Sequence, residues 1–421
     1  MQDLFQSTLT MVGYRDAFFL WPERARTEFP ARIAAATRRD PEWTAAFLAW
    51  LRAETPMRYP ALVGAAAFAA ARLADGSPGR TRQVVGSVLR RADDPGHLLA
   101  LWRAAHGRAV PKPVKRGVAD AVARLYDEDA LRLHDTGAHN FALPSFPDLR
   151  GLFSGTIDSP PPFRFGDVIR VVHPVPRDAQ QSAVFRQAMA GRREPLGDSD
   201  LMLDALLGRL HHLDKHGLPF ETAMEINERL ADPAEVRAAR LYPLRLAAAR
   251  RAAAAQRWTP TLERAAGYLL DDLPRIPGRT LITIDQEFDD AAVFGLTLAQ
   301  RCEHADVVAH DGRRFPVVPG ESPLHGLHRW RAFGLPATYC DAPVRDAFAG
   351  HDRVAVIDPY VDEPPDLGVP VYAWRVNGYR AGESRPPRLV FPGLTDEALA
   401  LIPVIEAARE GVWPFTTSRG A

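Results

Sequence analysis

The chain is 421 residues long, 46% hydrophobic and 25% charged, ordinary proportions for a globular protein with room for two or three domains. Its formal net charge is zero, but the sum hides a split, a net of +6 up to Arg275 and −6 from Ile276 onward. No run approaches the roughly 20 apolar residues of a membrane span and no basic-then-apolar leader opens the chain. The two cysteines, Cys302 and Cys340, exclude a disulfide framework or a Cys-type zinc site. A cytoplasmic protein with no membrane partner is expected.

The first 275 residues predict helices. Asp40-Pro41-Glu42-Trp43 opens one, with Asp at the N-cap and Pro at the first helical position, and Trp43, Phe47 and Trp50/Leu51 then recur at helical spacing. Asp94-Pro95 and Asp232-Pro233 repeat the start signal. Val114, Val118, Ala121/Val122 and Leu125 form another apolar stripe, and further helical patterns run through Arg58–Leu73, Ala183–Ala190, Leu201–Leu213 and Pro243–Gln256. Short helices joined by turns, with no strand-like alternation, suggest a solenoid, although no clean repeat period emerges. The stretch from Thr136 to Phe163, rich in Pro, Gly, Ser and Asp, reads as a long surface loop.

The pattern changes after Leu273. Thr280–Ile284 is a short apolar run ending in Asp285, as in a buried strand of a parallel sheet. Ala305–Ala309, Val354–Ile357 and Val369–Ala373 repeat the type, with helical segments at Asp290–Arg301, Pro343–Ala349 and Asp396–Arg409. Strands alternating with helices predict a doubly wound α/β domain over residues 276–421, after a helical domain over 1–275.

Two kinds of site follow. Three basic stretches contain no acid: Gly76–Ala92 with Arg80, Arg82, Arg90 and Arg91; Pro95–Ala119 with Arg103, Arg108, Lys112, Lys115 and Arg116; and Val236–Leu262 with Arg237, Arg240, Arg245, Arg250, Arg251 and Arg257. They point to a surface that meets phosphates; the plainer reading is solvated faces of an Arg-rich composition. Asp285, Glu287 and Asp289 alternate after the first strand, and Thr338 and Asp358 could join them from later loops. Oxygen ligands of this kind suit Mg²⁺ or Ca²⁺, whereas acids at strand ends otherwise cap helices or face water. His173 ends an apolar helix-like stretch, where a capping or core role competes with a functional one, and His211-His212 reads as surface. There is no glycine-rich phosphate loop, and no nucleophile–base constellation has useful spacing. No catalytic residue is assigned; a metal-dependent hydrolase would rest on carboxylate count alone.

Several stretches together resemble the TROVE-domain family, the Ro autoantigen RNA-binding proteins and their bacterial relatives. Lys115-Arg116-Gly117-Val118-Ala119-Asp120 is similar to the family's basic helix, and Phe165-Gly166-Asp167-Val168-Ile169-Arg170-Val171-Val172-His173-Pro174 to its D-[LIV]-[LIV]-R-L-x-H-x-P segment. Arg240–Ala247 resembles a late-solenoid pattern. Gly278–Asp285 resembles the entry into a von Willebrand factor A domain, and Thr338-Tyr339-Cys340-Asp341-Ala342-Pro343 the surroundings of that domain's metal-site threonine. The resemblance implies a ring of HEAT-like helical repeats closed by the A-type domain. It also implies binding of small structured (Y-like) RNA and of single-stranded 3′ ends of misfolded RNA, with an RNA-processing enzyme as a further partner and a monomeric chain. On that footing the RNA-binding residues are Lys112, Lys115, Arg116, Arg170, His173, Arg245, Arg250 and Arg251. The A-domain pattern D-x-S-x-S is altered, with Glu287 and Asp289 in the serine positions. That change implies either a divalent cation held without a partner's carboxylate or a degenerate site left empty or protonated. The expected function is a non-catalytic RNA-binding protein of RNA quality control. The alternative is a protein-interaction scaffold in which the arginine excess is compositional.

Overall fold

The computed structural model of the protein describes residues 1–14, 18, 21–134, 163–191, 203–215, 217, 219–253, 256–268, 270, 272–333, 342–361, 363–376 and 387–416. Up to Tyr268 its elements are helices: α1 (Gln2–Leu9) and a 3-10 turn (Thr10–Tyr14), α2 (Glu23–Arg39), α3 (Pro41–Glu54), α4 (Arg58–Ala74), α5 (Thr81–Val88), α6 (Asp94–His106), α7 (Lys112–Leu125), α8 (Glu128–His134), α9 (Phe165–Val172), α10 (Ala179–Ala190), α11 (Leu203–Lys215), α12 (Phe220–Ala231), α13 (Pro233–Ala238), α14 (Pro243–Ala252) and α15 (Thr259–Tyr268). No described helix is long and apolar enough to cross a membrane. Most of the expected Thr136–Phe163 loop lies outside the described residues; Phe163 is buried, with the Arg103 guanidinium 4.4 Å over its ring.

The helix starts follow the local chemistry in two cases of three. Asp40 accepts from the Trp43 N–H at 2.9 Å and Asp232 from the Ala234 N–H at 2.8 Å, each satisfying one of the orphan donors of a helix end. Asp94 instead turns back from the first turn of α6. It is fully buried, accepts from the backbone N–H groups of Arg90 and Arg91 at 2.7 Å, and pairs with Arg52 at 3.0 Å and Arg58 at 2.5 Å. One carboxylate thus ties α3, α4 and the loop before α6 together. Gly117 lets α7 lie against α5, since a Cβ there would sit 2.7 Å from the Arg82 carbonyl oxygen and 2.8 Å from Val85.

From Ile276 the chain builds a six-stranded sheet: β1 (Ile276–Ile284), β2 (Cys302–Ala309), β3 (Arg314–Phe315), β4 (Arg353–Asp358), β5 (Val371–Arg375) and β6 (Arg388–Phe391), in the order β3-β2-β1-β4-β5-β6. All neighbours are parallel except the short edge strand β3. Helices α16 (Asp289–Arg301), α17 (Pro323–Phe333), α18 (Ala342–Ala347) and α19 (Leu401–Arg409) accompany it. β1 starts earlier than its apolar run predicts, through a register shift between Ile276 and Arg279 at which Gly278 takes φ +75°. The core on one face is Leu281, Val308, Val354, Val356, Val371 and Val390, the branched residues that suit a buried parallel sheet.

Two compact units divide the chain, and they do not follow the change of secondary structure at Ile276. One comprises Arg15–Gly197 with Trp413–Ala421; the other comprises Gln2–Tyr14 with Asp198–Val412. In the first, Trp413 and Phe415 pack on Trp43 of α3, with ring centroids 5.2 and 5.5 Å away. In the second, the opening 3-10 turn crosses the segment after β6 so closely that a Cβ on Gly13 would lie 2.7 Å from the Gly393 nitrogen. There too, Asp396 accepts from the backbone N–H groups of Leu244 (2.8 Å) and Arg245 (3.2 Å), capping α14.

Candidate metal centre and nucleic-acid interface

The sheet reverses direction of winding between β1 and β4, the position at which doubly wound sheets bind ligands beyond their strand ends. Asp285 follows β1, Asp358 ends β4 and His310 follows β2, all three buried. Gly295 of α16 sets their surroundings: a Cβ there would come within 2.4 Å of Ile284 and 2.9 Å of Ile357, so the glycine allows α16 to lie on both strands that deliver the carboxylates. The Asp285 N–H donates to the Ile357 carbonyl at 2.9 Å, locking the two strand ends. His310 Nδ1 lies 3.5 Å from Asp285 Oδ2, and its Nε2 lies 3.5 Å from Asp358 Oδ2. The other oxygen of each carboxylate, Oδ1, accepts a backbone N–H two residues on, from Glu287 at 2.8 Å and from Tyr360 at 2.5 Å.

Burial pushes the Asp285 carboxyl above its ordinary value and the neighbouring Asp358 charge adds to this, against the Glu287 N–H and His310, which hold it down. Two buried carboxylates so close need a positive partner. His310 supplies one when protonated, and when neutral it offers a ligand nitrogen. One ligand atom from each of Asp285, His310 and Asp358 lies within 4.8 Å of the others, so the three could hold a metal ion.

The ligand set expected from spacing is not the set the fold gathers. Asp285 and Asp358 are in the cluster. Glu287 is exposed. Asp289 begins α16 and pairs with Arg331, Oδ1 to Nε 3.0 Å, which holds its carboxyl below the ordinary value. Thr338 lies outside the described residues. His310 was missed because it stands 25 positions beyond Asp285 in a stretch without a motif; its only signal is its place directly after a predicted strand.

The basic stretches change character once folded. Arg80 pairs with Glu42, Arg82 with Asp120 (2.6 Å), Arg91 with Asp93 (3.1 Å), Arg237 with Asp272 (3.0 Å) and Arg257 with Asp214. Arg250 pairs with Glu263 at 3.1 Å and meets His328 at 2.6 Å, and Arg251 holds both oxygens of Asp290 at 2.5 and 3.0 Å. Arg170 pairs with Asp167 at 3.1 Å and donates to the Met189 carbonyl at 2.9 Å. His173 is exposed and left-handed (φ 50°), serving as the C-cap of α9. Lys112, Lys115 and Arg116 remain in the opening turns of α7, with Arg245 on α14; the side chains of these four have no ion pair among the described residues. Lys112, Arg116 and Arg245 are exposed and Lys115 is half-buried. The α7 group stands at a helix N-terminus without a side-chain cap and with no acid in its first turn, where backbone N–H groups and dipole also favour an anion.

The described chain is thus a helical region followed by a mixed, mostly parallel α/β sheet with acids at its switch point. The same fold is found in the Ro (RSR) protein of Deinococcus radiodurans, whose crystal structure matches with a TM-score of 0.62 at 16% identity, over 88% of this chain and 92% of that one. The resemblance seen in the sequence motifs and the likeness in fold therefore point to the same structure. No family model and no curated protein matches the chain.

Proposed function

We propose that this chain is a non-catalytic RNA-binding protein of the Ro type, taking structured small RNA and single-stranded 3′ ends. The observation that carries the reading is the group Lys112, Lys115 and Arg116: three cations on one helix end with no ion pair among the described residues, whereas Arg80, Arg82, Arg91, Arg237, Arg250, Arg251 and Arg257 of the same basic stretches are matched to acids. A fold shared with a Ro protein supports it, although fold by itself does not assign function. Binding is by phosphate neutralisation and counterion release, with modest sequence preference. The Asp285–His310–Asp358 cluster plays a structural part, closing the end of the sheet around a divalent cation. A nitrogen ligand suits Zn²⁺ or Mn²⁺ better than the Mg²⁺ or Ca²⁺ expected of oxygen ligands alone. The protein acts in the cytoplasm as a monomer, delivering RNA to a processing enzyme.

The test is anisotropy binding of a duplex with a single-stranded 3′ tail against the same duplex blunt, across a salt series. Tighter binding of the tailed RNA with a steep salt slope is expected; no binding of either at low salt removes the reading. A protein scaffold is the second reading, and one observation favours it. Phe220 (75% exposed) and Met224 (47% exposed) stand one turn apart on α12, an apolar pair open to a partner. Protein purified without nucleic acid, with an unraised 260/280 absorbance ratio, would favour the scaffold.

A further inference from the structure

A cavity of about 800 Å³ opens where α3, α5 and α7 end, and it belongs neither to the sheet nor to the basic end of α7. Its floor is the α3 face of Ala46, Ala49 and Ala53, spaced at helical period so that small side chains lie in one row. Two aromatic rings stand over that floor. Trp50 comes from the same helix and Phe415 from the C-terminal segment, half-buried, with centroids 6.2 Å apart and planes inclined at 51°. Phe415 is held in place by Trp43 and Phe47 at 5.5 and 6.1 Å, so this wall is built rather than trailing.

Two guanidinium groups, with Ser87, Leu125, Pro414 and the exposed Glu54 carboxylate, complete the lining. Arg124 is fixed by donating to the Leu89 and Gly86 carbonyls at the end of α5, at 2.5 and 3.2 Å. Arg90 is exposed and its side chain has no ion pair among the described residues. Aromatic rings and free guanidinium around a concavity of this size suit a ligand with flat unsaturated rings and a phosphate. An aliphatic or acidic peptide would leave one half of that lining unused.

We propose that this cavity is a seat for an unpaired nucleotide of single-stranded RNA, its base stacked on Trp50 and Phe415 and its phosphate met by Arg90. The proposal rests on the RNA-binding reading and adds to it a place for the single strand. It accounts for the position of Phe415, which brings the last described part of the chain to this wall.

The experiment measures anisotropy of a labelled oligo(A) or oligo(U) too short to pair, and of a blunt duplex, on the full chain. The variants are Arg90→Glu, Trp50→Leu and Trp50→Phe. Arg90→Glu and Trp50→Leu are expected to weaken the oligonucleotide on the order of tenfold, as loss of one stacked base does, and to leave the duplex unchanged. Trp50→Phe keeps an aromatic face and is expected to retain most of the affinity. Arg90→Glu is an exposed change that leaves the core intact, so unchanged oligonucleotide affinity in that variant overturns the proposal. Wild-type protein that binds duplex but no oligonucleotide also overturns it, while leaving the binding of structured RNA standing. Wild-type protein that binds neither overturns both.

Discussion

Arg251 and Asp290 form a two-pronged ion pair, Nη1 to Oδ1 at 2.5 Å and Nη2 to Oδ2 at 3.0 Å. An arginine held this way offers little to a phosphate, since it must first give up a partner that matches its geometry. The pair sets Arg251 apart from Lys112, Lys115 and Arg116, which have no ion pair among the described residues.

Charge reversal tests that separation. Lys115→Glu with Arg116→Glu is expected to weaken RNA binding at low salt and to lower the slope of log K against log salt by about 2, one unit for each lost phosphate contact. Arg251→Ala is expected to leave both quantities unchanged. Equal losses in the two variants would mean that the internal pairing does not decide which arginines meet RNA.

The cluster of Asp285, His310 and Asp358 predicts metal-dependent stability. Zn²⁺ or Mn²⁺ at a concentration about 100 times its dissociation constant should stabilise the folded chain by about 2.7 kcal/mol, read as a rise in Tm. His310→Ala should abolish the rise, and Glu287→Gln should keep it, because Glu287 stands outside the cluster. A rise that survives His310→Ala would place the ion elsewhere.

Asp94 predicts a large structural cost. It is fully buried among Arg52, Arg58 and two backbone N–H donors, so Asp94→Ala takes the carboxylate from Arg52 and from both donors, while Arg58 keeps Asp93 at 2.8 Å. A loss of about 3–5 kcal/mol is expected from denaturant titration. A loss below about 1 kcal/mol, the worth of an exposed pair, would show that the arginines regain solvent when the acid is removed.

Its neighbour Asp93 predicts the acid limb of stability. Burial raises this carboxyl, but the His97 ring, with Nε2 3.7 Å from Oδ2, and the charges of Arg58 and Arg91 outweigh it, and the net shift is downward. A depressed folded value means stability that is present above the unfolded carboxylate value, about 3.9, and lost as pH falls below it. Asp93→Asn is therefore expected to flatten the decline in stability below about pH 4; an unchanged acid limb would assign the decline to other carboxylates.

Gly117 predicts that α7 depends on a close approach. Gly117→Ala puts a methyl against the Arg82 carbonyl oxygen, which is backbone and cannot swing aside. A cost of about 1–3 kcal/mol is expected, with weaker RNA binding as Lys115 and Arg116 shift. Full stability would show that α5 and α7 part without penalty.

Sequence by itself determined the elements wherever a local cause suffices. Asp40 and Asp232 cap the helices they precede because the cap needs only residues a few positions apart. The apolar runs before Asp285 and Asp358 became β1 and β4 because burial on both faces selects branched residues along one segment. Elements with weak local signal were missed: β6 is four residues long, and α17 carries Gly326 and two histidines in place of a clean apolar stripe. Only the tertiary structure decided which charges stay free. A stretch without acids in sequence can be full of acids in space, as Arg80 finds Glu42, Arg82 finds Asp120 and Arg251 finds Asp290 from distant helices. The same holds for the cluster at the sheet switch point. Asp289, four residues from Asp285, turns to Arg331, while His310 arrives from the neighbouring strand. Electrostatic partnership depends on distance through space, and distance along the chain carries almost none of that information beyond the nearest turn.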